Sequence, residues 1–410
     1  MPIQIWRGHH GPEISSLIEE AWKKEELLIL CPPLWDSFEF SFLLPKGEIQ
    51  FVGDWEHTPQ GIVSGNEEYP EKPVYGIFST GTTGRKLVLY SKKNIETSLN
   101  AILSLFDETR YSKIFSYPQP FHTFGLILGY CHAFLRDKKL VIPQGKYSAE
   151  AHEWWCRESS RELFTLGTPT HFKDLIDFVE SNSLSPRPTY SSIIGAARVE
   201  KDLWEKCQDV LKIEAPSIGY GATEASPGIT HLAPGKAPIE DGEVGEYLSH
   251  IEVENQPNGF EFSGSAVCLA MIHQSELEFP KKIFIKDILE KRSDGVLVYK
   301  GRADLVLNRG GEKFALEEIE NYLKSEMDLD SVCVSLSDSR LGEELGILVR
   351  NPSPSKQGVY RLLKTRYGRD FNERYFQVAE EFPINASSKI DRKACKKWME
   401  RQIEATPLNH

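Results

Sequence analysis

Residues 74–84 read VYGIFSTGTTG, an apolar run that passes directly into a loop of hydroxyl side chains and glycines. The apolar run predicts a strand, and residues 79–84 (Ser-Thr-Gly-Thr-Thr-Gly) form the loop at its exit. Glycines let a backbone come close to a ligand, and clustered N–H and O–H groups can point at anionic oxygens. We therefore expect the loop to bind phosphate, with Lys86 adding a positive charge. A Gly/Thr-rich turn that only connects two strands is the alternative.

Two common nucleotide-binding motifs do not fit the chain. The P-loop pattern G-x-x-x-x-G-K-[ST] matches Gly76 and Gly81, but Thr82 stands where the lysine belongs. The segment Gly219-Tyr220-Gly221 begins like a dinucleotide fingerprint, but Glu224 occupies the position of its last glycine. The sequence therefore argues against a kinase or GTPase loop and against a dinucleotide site.

Composition limits the class of protein. A chain of 410 residues suits a large domain plus a smaller one. The net charge of −12 argues against nonspecific binding of nucleic acid or of an anionic membrane. The seven cysteines are scattered without a C-x-x-C pair, which indicates reduced thiols in the cytoplasm. The first residues contain no apolar signal core, and no apolar run approaches the roughly 20 residues of a membrane span.

Apolar strand-like runs alternate with helical patterns between Val74 and Ile218, which predicts α/β layers with substantial parallel sheet. Strands are predicted at 74–78, 86–90, 113–117, 139–142, 163–166, 191–195 and 213–218, and helices at 92–106, 123–135, 148–158, 169–181 and 200–211. Residues 1–72 look irregular apart from a helix at 12–26 and a strand at 27–31. Residues 243–300 are strand-rich and predict a small β-subdomain.

Motifs later in the chain help to interpret the phosphate loop. They read GYGATE at 219–224, GRAD at 301–304, NRGGEK at 308–313, EEIE at 317–320 and SKIDR at 388–392. With the loop at 79–84, they resemble in type and order the motifs of the adenylate-forming superfamily. This superfamily contains acyl- and aryl-CoA synthetases, luciferases and nonribosomal adenylation domains.

The resemblance implies a two-domain fold of the α/β class. Residues 1–303 would form a large N-terminal domain of layered sheets with the small β-subdomain. Residues 304–410 would form a smaller, mobile α+β C-terminal domain, with a hinge near Asp304. The loop lies early in the chain, so the first subdomain is abbreviated, which resembles short forms among the o-succinylbenzoate–CoA ligases of menaquinone synthesis.

The resemblance also implies a reaction. A carboxylate attacks ATP to give acyl-AMP and pyrophosphate, and the thiol of coenzyme A then displaces AMP. Lys389 would bridge the carboxylate and the α-phosphate, although Ser388 replaces the usual glycine before it. Lys86 would be the loop lysine, although the proline that the family places before it is absent.

The remaining ATP contacts follow from the same resemblance. Glu224 would bind Mg²⁺, Thr223 would contact the α-phosphate, and Asp287 and Arg302 would bind the ribose. Tyr220 would stack on adenine beside Gly221. The phosphate loop itself comprises Ser79, Thr80, Gly81, Thr82, Thr83 and Gly84.

Two further segments would contact the acid and the thiol. His122, within YPQPFHTFG, would gate the carboxylate pocket, and a structural histidine is the alternative. The acyl pocket would be lined by Gly195, Ala196, Ala197 and Gly219. The turn with Gly310 and Gly311 would approach the pantetheine arm of coenzyme A. Arg198 would meet a second carboxylate or lie in solvent.

The preferred hypothesis is therefore an o-succinylbenzoate–CoA ligase in the cytoplasm, using ATP, Mg²⁺ and coenzyme A. Other aryl- or acyl-CoA synthetases, an adenylation enzyme that charges a carrier protein, and a non-catalytic nucleotide-binding protein are the alternatives. The expected partners are a small carboxylic acid, ATP and coenzyme A, without nucleic acid. A homodimer is an expectation from the family.

Overall fold

The computed structural model describes residues 2–33, 44–55, 68–81, 84–143, 148–273, 275–350, 355–384 and 390–405. The chain divides into two compact units. The first comprises Met1–Asn255, Glu261–Phe284 and Glu290–Tyr299, and the second comprises Gln256–Phe260, Ile285–Leu289 and Lys300–His410. Among the described residues, no helix is long and apolar enough to cross a membrane.

The helices are α1 Pro12–Lys24, α2 Lys92–Leu103, α3 His132–Leu135, α4 Glu150–Glu158, α5 Pro169–Ser181, α6 Lys201–Asp209, α7 Leu316–Met327, α8 Lys356–Tyr367 and α9 Arg392–Ala405. The first strands are β1 Pro2–Arg7, β2 Leu27–Cys31, β3 Glu48–Gly53, β4 Pro73–Gly81, β5 Gly84–Ser91, β6 Lys113–Ser116, β7 Lys139–Val141, β8 Leu163–Gly167, β9 Thr189–Gly195, β10 Ile213–Gly221, β11 Gly228–Leu232 and β12 Glu243–Tyr247. The others are β13 Ile251–Gln256, β14 Gly259–Gly264, β15 Ala270–His273, β16 Glu276–Glu278, β17 Lys282–Ile285, β18 Asp287–Lys291, β19 Leu297–Arg302, β20 Val306–Arg309, β21 Glu312–Ala315, β22 Ser331–Asp338, β23 Gly342–Arg350 and β24 Phe376–Ala379.

A seven-stranded sheet, in the order β16-β15-β5-β4-β2-β1-β3, includes β4, which contains the apolar run at 74–78. Its strand β1 pairs in parallel with β2 and β3. The expectation of irregular structure was therefore wrong for β1 and β3. The six residues of β1 place Ile3 and Ile5 in the core with the polar Gln4 between them, and this alternation is too short to stand out in the sequence.

A nine-stranded sheet has the order β18-β19-β12-β11-β10-β9-β8-β6-β7. From β10 to β7 neighbouring strands are parallel, as the strand–helix alternation predicts. One face of this sheet shares a core with the seven-stranded sheet, α2 and a π-helical stretch at Phe124–Cys131. The other face packs against α4, α5 and α6. Layered α/β architecture is confirmed.

The strand-rich stretch 243–300 is also confirmed, and its strands distribute over three sheets. β12, β18 and β19 extend the nine-stranded sheet, and β15 and β16 extend the seven-stranded sheet. The strands β13, β14 and β17 form a small sheet of their own.

The second unit contains a five-stranded sheet in the order β21-β20-β23-β22, with β24 parallel to β23. Its core on one face includes residues of α7 and α8, and α9 packs on the other face. The β/α pattern after Asp304 predicts helices at 315–325, at 355–366 and from Arg392, and strands at 331–336 and 345–350. All five are present as α7, α8, α9, β22 and β23. The domain boundary at residue 303 and the hinge at Asp304 stay predictions.

Candidate active site

The phosphate-loop sequence closes an antiparallel hairpin of β4 and β5. The register pairs Ser79 with Lys86 and Gly81 with Gly84. The residues between the two strands, Thr82 and Thr83, lie outside the described part of the chain, as does the side chain of Thr80. The predicted loop is therefore held at both ends by a regular ladder, which fixes the position of Lys86.

The ammonium group of Lys86 forms an ion pair with the carboxylate of Glu224. Both side chains are largely buried, with 18% of Lys86 and 13% of Glu224 exposed. Tyr90, four residues after Lys86 on β5, donates its hydroxyl to the Thr223 carbonyl at 2.8 Å. The Cys268 N–H donates to the Glu224 carbonyl, also at 2.8 Å. The structure thus joins the loop motif and the GYGATE motif in one charged site.

A tight turn holds Thr223 and Glu224 at the end of β10. Gly221 immediately precedes this turn, and a Cβ atom there would lie 1.7 Å from the Pro227 carbonyl oxygen. Because no side chain fits, the glycine lets the two backbone segments close, and Ala222 N–H donates to the same Pro227 oxygen at 3.0 Å. The half-buried ring of Tyr220 lies 6.2 Å from the ring of Tyr299, centroid to centroid.

Two of the predicted pocket residues are neighbours on adjacent parallel strands. Gly195 of β9 pairs with Gly219 of β10. A Cβ atom at Gly195 would lie 2.9 Å from the Gly219 carbonyl oxygen and 3.5 Å from the ring of Phe124. Ala196 follows with a left-handed φ of 68°, and both Ala196 and Ala197 are exposed. Sequence reasoning missed Phe124, which closes the space beside Gly195.

His122 and Arg198 are both half-buried. The His122 ring lies 4.7 Å from the Phe121 ring, and the backbone N–H of His122 donates to the Gln119 carbonyl at 3.1 Å. Arg198 Nη2 donates to the carbonyl of Asp241 at 3.3 Å. The predicted roles of His122 and Arg198 stay predictions.

In the second unit, the three predicted residues Asp287, Arg302 and Asp304 form one charged cluster. Arg302 Nη1 donates to Asp287 Oδ1 at 3.0 Å, and its Nε and Nη2 donate to the two oxygens of Asp304 at 2.9 and 3.1 Å. Burial opposes ionisation of Asp304, but Arg302 and Lys286 outweigh it and hold the pKa of this carboxyl below its ordinary value.

The glycine turn of the second unit connects β20 to β21. Gly310 and Gly311 have φ values of 58° and 88°, which side chains other than glycine rarely adopt. Arg309 before the turn donates from Nε to Glu344 Oε1 at 2.7 Å, and both side chains are buried. A Cβ atom at Gly311 would meet no atom within 4 Å, so the face of the turn is open.

The late lysine Lys389 and the preceding Ser388 lie outside the described residues. Their flanks are described: Ile384 and Ile390 form an antiparallel bridge, and Asp391 N–H donates to the Pro383 carbonyl at 2.8 Å. The base of the segment that carries Lys389 is therefore fixed.

Comparison with known proteins places this arrangement in a family. The profile of the family described as AMP-binding enzyme matches residues 34–255. The mitochondrial medium-chain acyl-CoA ligase ACSF2 is 23% identical in Macaca fascicularis over 359 residues (81% of this chain, 58% of that protein). The Danio rerio protein of the same name is 23% identical over 396 residues (90% and 64%). The chain thus matches less than two thirds of the length of these relatives.

Solved structures show the same fold. The o-succinylbenzoate coenzyme A synthetase of Bacillus subtilis, in complex with ATP and magnesium, superimposes with a TM-score of 0.79 at 16% identity, covering 96% of this chain and 88% of that one. The ATP-bound MatB of Rhodopseudomonas palustris gives 0.78 at 14% identity, covering 98% and 89%. The predicted adenylate-forming fold is confirmed, and since the profile matches more than half of this sequence, the chain belongs to the AMP-binding enzyme family.

Proposed function

We propose that the protein is an ATP-dependent ligase that activates a carboxylic acid as acyl-AMP and transfers the acyl group to coenzyme A. The observation that carries this proposal is the Lys86–Glu224 pair, because it joins a cation and a carboxylate from two separate motifs at the phosphate-loop hairpin. The relatives named as acyl-CoA ligases and the order of the motifs support the same reaction.

The chemistry explains why such a pair is needed. A carboxylate is a poor electrophile, and its attack on ATP brings two anions together. The transition state therefore requires positive charge and N–H donors that are fixed in place. Lys86 is anchored by the hairpin register and can supply one such charge.

Glu224 is our candidate ligand for Mg²⁺. Among the residues that the structure describes, no group of three or more His, Cys, Asp or Glu side chains could hold a metal ion. Mg²⁺ commonly binds through one or two carboxylates together with substrate phosphates, so a single carboxylate beside the phosphate loop fits this ion. When bound, Mg²⁺ would neutralise phosphate charge. Glu224 would then bind the metal and give up its ion pair with Lys86.

We assign the two steps to different parts of the second domain, residues 304–410. Lys389 would serve adenylation, Gly310 and Gly311 would serve transfer to coenzyme A, and Asp304 would be the hinge between the two states. Asp287 and Arg302 would bind the ribose, and their mutual contact at 3.0 Å supports a joint role.

Our preferred acid is o-succinylbenzoate. The fold shared with the Bacillus subtilis synthetase in complex with the o-succinylbenzoyl adenylate supports this proposal. All seven cysteines are free thiols, which supports a reducing compartment such as the cytoplasm.

A carrier protein is the second candidate for the thiol. This alternative is favoured by a local match to the pyochelin synthase PchD of Pseudomonas aeruginosa, 33% identical over 123 residues. The match covers 29% of this chain and 22% of that protein.

The test is a panel of carboxylic acids with ATP, Mg²⁺ and coenzyme A, with products identified by mass spectrometry. We expect acid-dependent pyrophosphate release and an acyl-CoA product, with o-succinylbenzoate among the best acids. Glu224→Gln should strongly slow pyrophosphate release at the Mg²⁺ concentration that saturates the wild type. The matched control Glu19→Gln, at an exposed pair on α1, should not. Absence of acid-dependent ATP–pyrophosphate exchange in the wild type would refute the proposal, and transfer only to a carrier protein would favour the second candidate.

A further inference from the structure

A buried histidine links the chain after β1 to the chain after β6. His10 is only 4% exposed and lies three residues beyond the end of β1. Its backbone N–H donates to Gln119 Oε1 at 2.9 Å. Its ring nitrogens Nδ1 and Nε2 lie 2.8 Å from the Tyr130 hydroxyl and 3.2 Å from the Tyr117 carbonyl oxygen. Three hydrogen bonds thus tie His10 to the stretch 117–130.

The partners of His10 determine which ring nitrogen carries the proton. The Tyr117 carbonyl can only accept a hydrogen bond, so Nε2 is protonated and donates to it. Burial lowers the pKa of His10 to about 3, so the ring is neutral at physiological pH and Nδ1 is an acceptor. The Tyr130 hydroxyl therefore donates to Nδ1. An apolar side chain at this position would satisfy neither partner.

The segment that His10 holds, residues 117–122, lies at the same sheet edge as the GYGATE motif. It follows β6, and β6, β8, β9 and β10 are neighbouring parallel strands. Their carboxyl ends therefore meet at one edge, and Glu224 lies just beyond the end of β10. Phe124, two residues after His122, lies 3.5 Å from the position that a Cβ atom of Gly195 would take. The segment is thus a neighbour of the predicted acid pocket.

The backbone of Gln119 is in close contact with the residues that follow it. A Cβ atom at Gly125 would lie 2.2 Å from the Gln119 carbonyl oxygen and 2.3 Å from that of Pro118. The His122 backbone N–H donates to the same Gln119 oxygen at 3.1 Å. The backbone of His122 therefore follows the position of Gln119, which His10 holds.

We propose that His10 is a positioning residue for binding of the carboxylic acid, because it holds the segment 117–122 with His122 at the pocket. This inference rests on the proposed function and on the predicted role of His122. It assigns to acid binding a residue near the start of the chain that no motif includes. The phosphate loop belongs to the β4–β5 hairpin, whose register does not involve His10. The effect of His10 should therefore fall on the acid and not on ATP.

The test is acid-dependent ATP–pyrophosphate exchange with the best acid of the panel. His10→Leu removes both ring hydrogen bonds and keeps the backbone bond to Gln119. We expect the KM for the acid to rise about tenfold or more, since two buried polar groups lose their partner, while the KM for ATP changes less than twofold. His10→Gln should bring the acid KM back to within about threefold of the wild type, because its amide can donate to the Tyr117 carbonyl.

His132 provides a matched control for a loss of stability. It is fully buried, and its ring nitrogens Nε2 and Nδ1 lie 2.9 Å from the Tyr111 hydroxyl and 3.1 Å from the Leu128 carbonyl oxygen. Burial lowers its pKa to about 3 as well. His132→Leu thus removes the same two kinds of hydrogen bond outside the segment 117–122. We expect it to lower the melting temperature about as much as His10→Leu and to leave the acid KM unchanged.

Three results would overturn the inference. They are an unchanged acid KM in His10→Leu, an equal rise of the acid KM in His132→Leu, and an equal rise of the KM for ATP in His10→Leu. If His10→Leu does not fold, Tyr130→Phe takes its place, because it removes only the hydroxyl that donates to Nδ1. We then expect the acid KM to rise about threefold, and an unchanged value refutes the inference.

The proposed function can fail separately, if no acid supports exchange in the wild type. Amide hydrogen exchange of the full chain, read by mass spectrometry, then tests the positioning itself. Peptides that cover 117–123 should exchange faster in His10→Leu than in the wild type, more slowly again in His10→Gln, and at the wild-type rate in His132→Leu. Equal exchange of these peptides in the wild type and His10→Leu refutes the inference.

Discussion

The contact between Glu320 and Arg392 ties together the end of the chain and the helix that follows the glycine turn. Arg392 Nη2 donates to Glu320 Oε2 at 2.6 Å, and Nη1 contacts Oε1. The same two side chains bind the backbone of Cys333: its N–H donates to Glu320 at 2.5 Å, and its carbonyl accepts from Arg392 at 3.0 Å. Helices α7 and α9 are thereby fixed to strand β22.

We expect Glu320→Gln to weaken this junction strongly, since it leaves the Arg392 charge without its carboxylate. Removing one partner of a buried ion pair costs about 3–5 kcal/mol. With 16% of Glu320 and 24% of Arg392 exposed, the lower end applies, about 3 kcal/mol. This free energy corresponds to an increase of about a hundredfold in the local opening equilibrium.

The assay is amide hydrogen exchange read by mass spectrometry on the full chain, following peptides from α7 and β22. Glu318→Gln on the same helix is the matched control, because its pair with Arg366 is 3.5 Å long and both side chains are 53% exposed. Such a pair contributes under about 1 kcal/mol. Equal exchange in the two variants, or less than a threefold increase in Glu320→Gln, would refute the assignment of a strong buried pair.

Three further outcomes test the proposed chemistry. Lys389→Ala should lower adenylation by about 10²–10³-fold yet largely spare thioester formation from supplied acyl-AMP, and equal loss of both half-reactions would contradict its role. Gly311→Val should do the reverse in the same pair of assays, because its φ of 88° disfavours a side chain and its face is open. Glu224→Gln should raise the Mg²⁺ concentration needed for half-maximal pyrophosphate release, and an unchanged Mg²⁺ dependence would exclude it as a ligand.

The elements that the sequence predicts well are those with a long or strongly apolar signal. The strand at 74–78 and the helix at 169–181 have such patterns, and Thr168 and Pro169 mark the start of that helix. The strand β1 escapes prediction because it is short and its place in the sheet depends on two partners that lie elsewhere in the chain.

The candidate site also combines features that the local sequence reveals with features that depend on distant parts of the chain. The motifs locate Lys86 and Glu224, but the contact between them depends on how β5 lies beside the end of β10, which spacing does not reveal. Gly195 and Gly219 are likewise neighbours only through the register of β9 and β10.

The missing proline before Lys86 has a structural consequence. Proline lacks an N–H and interrupts a strand ladder. Without it, β5 pairs with β4 from Gly84 onward, and this register places Lys86 opposite Ser79, with its ammonium at Glu224. Side chains alternate between the two faces of a strand, so one additional residue before Lys86 would turn it to the opposite face of the hairpin. The absence of the proline is therefore compatible with the contact between Lys86 and Glu224.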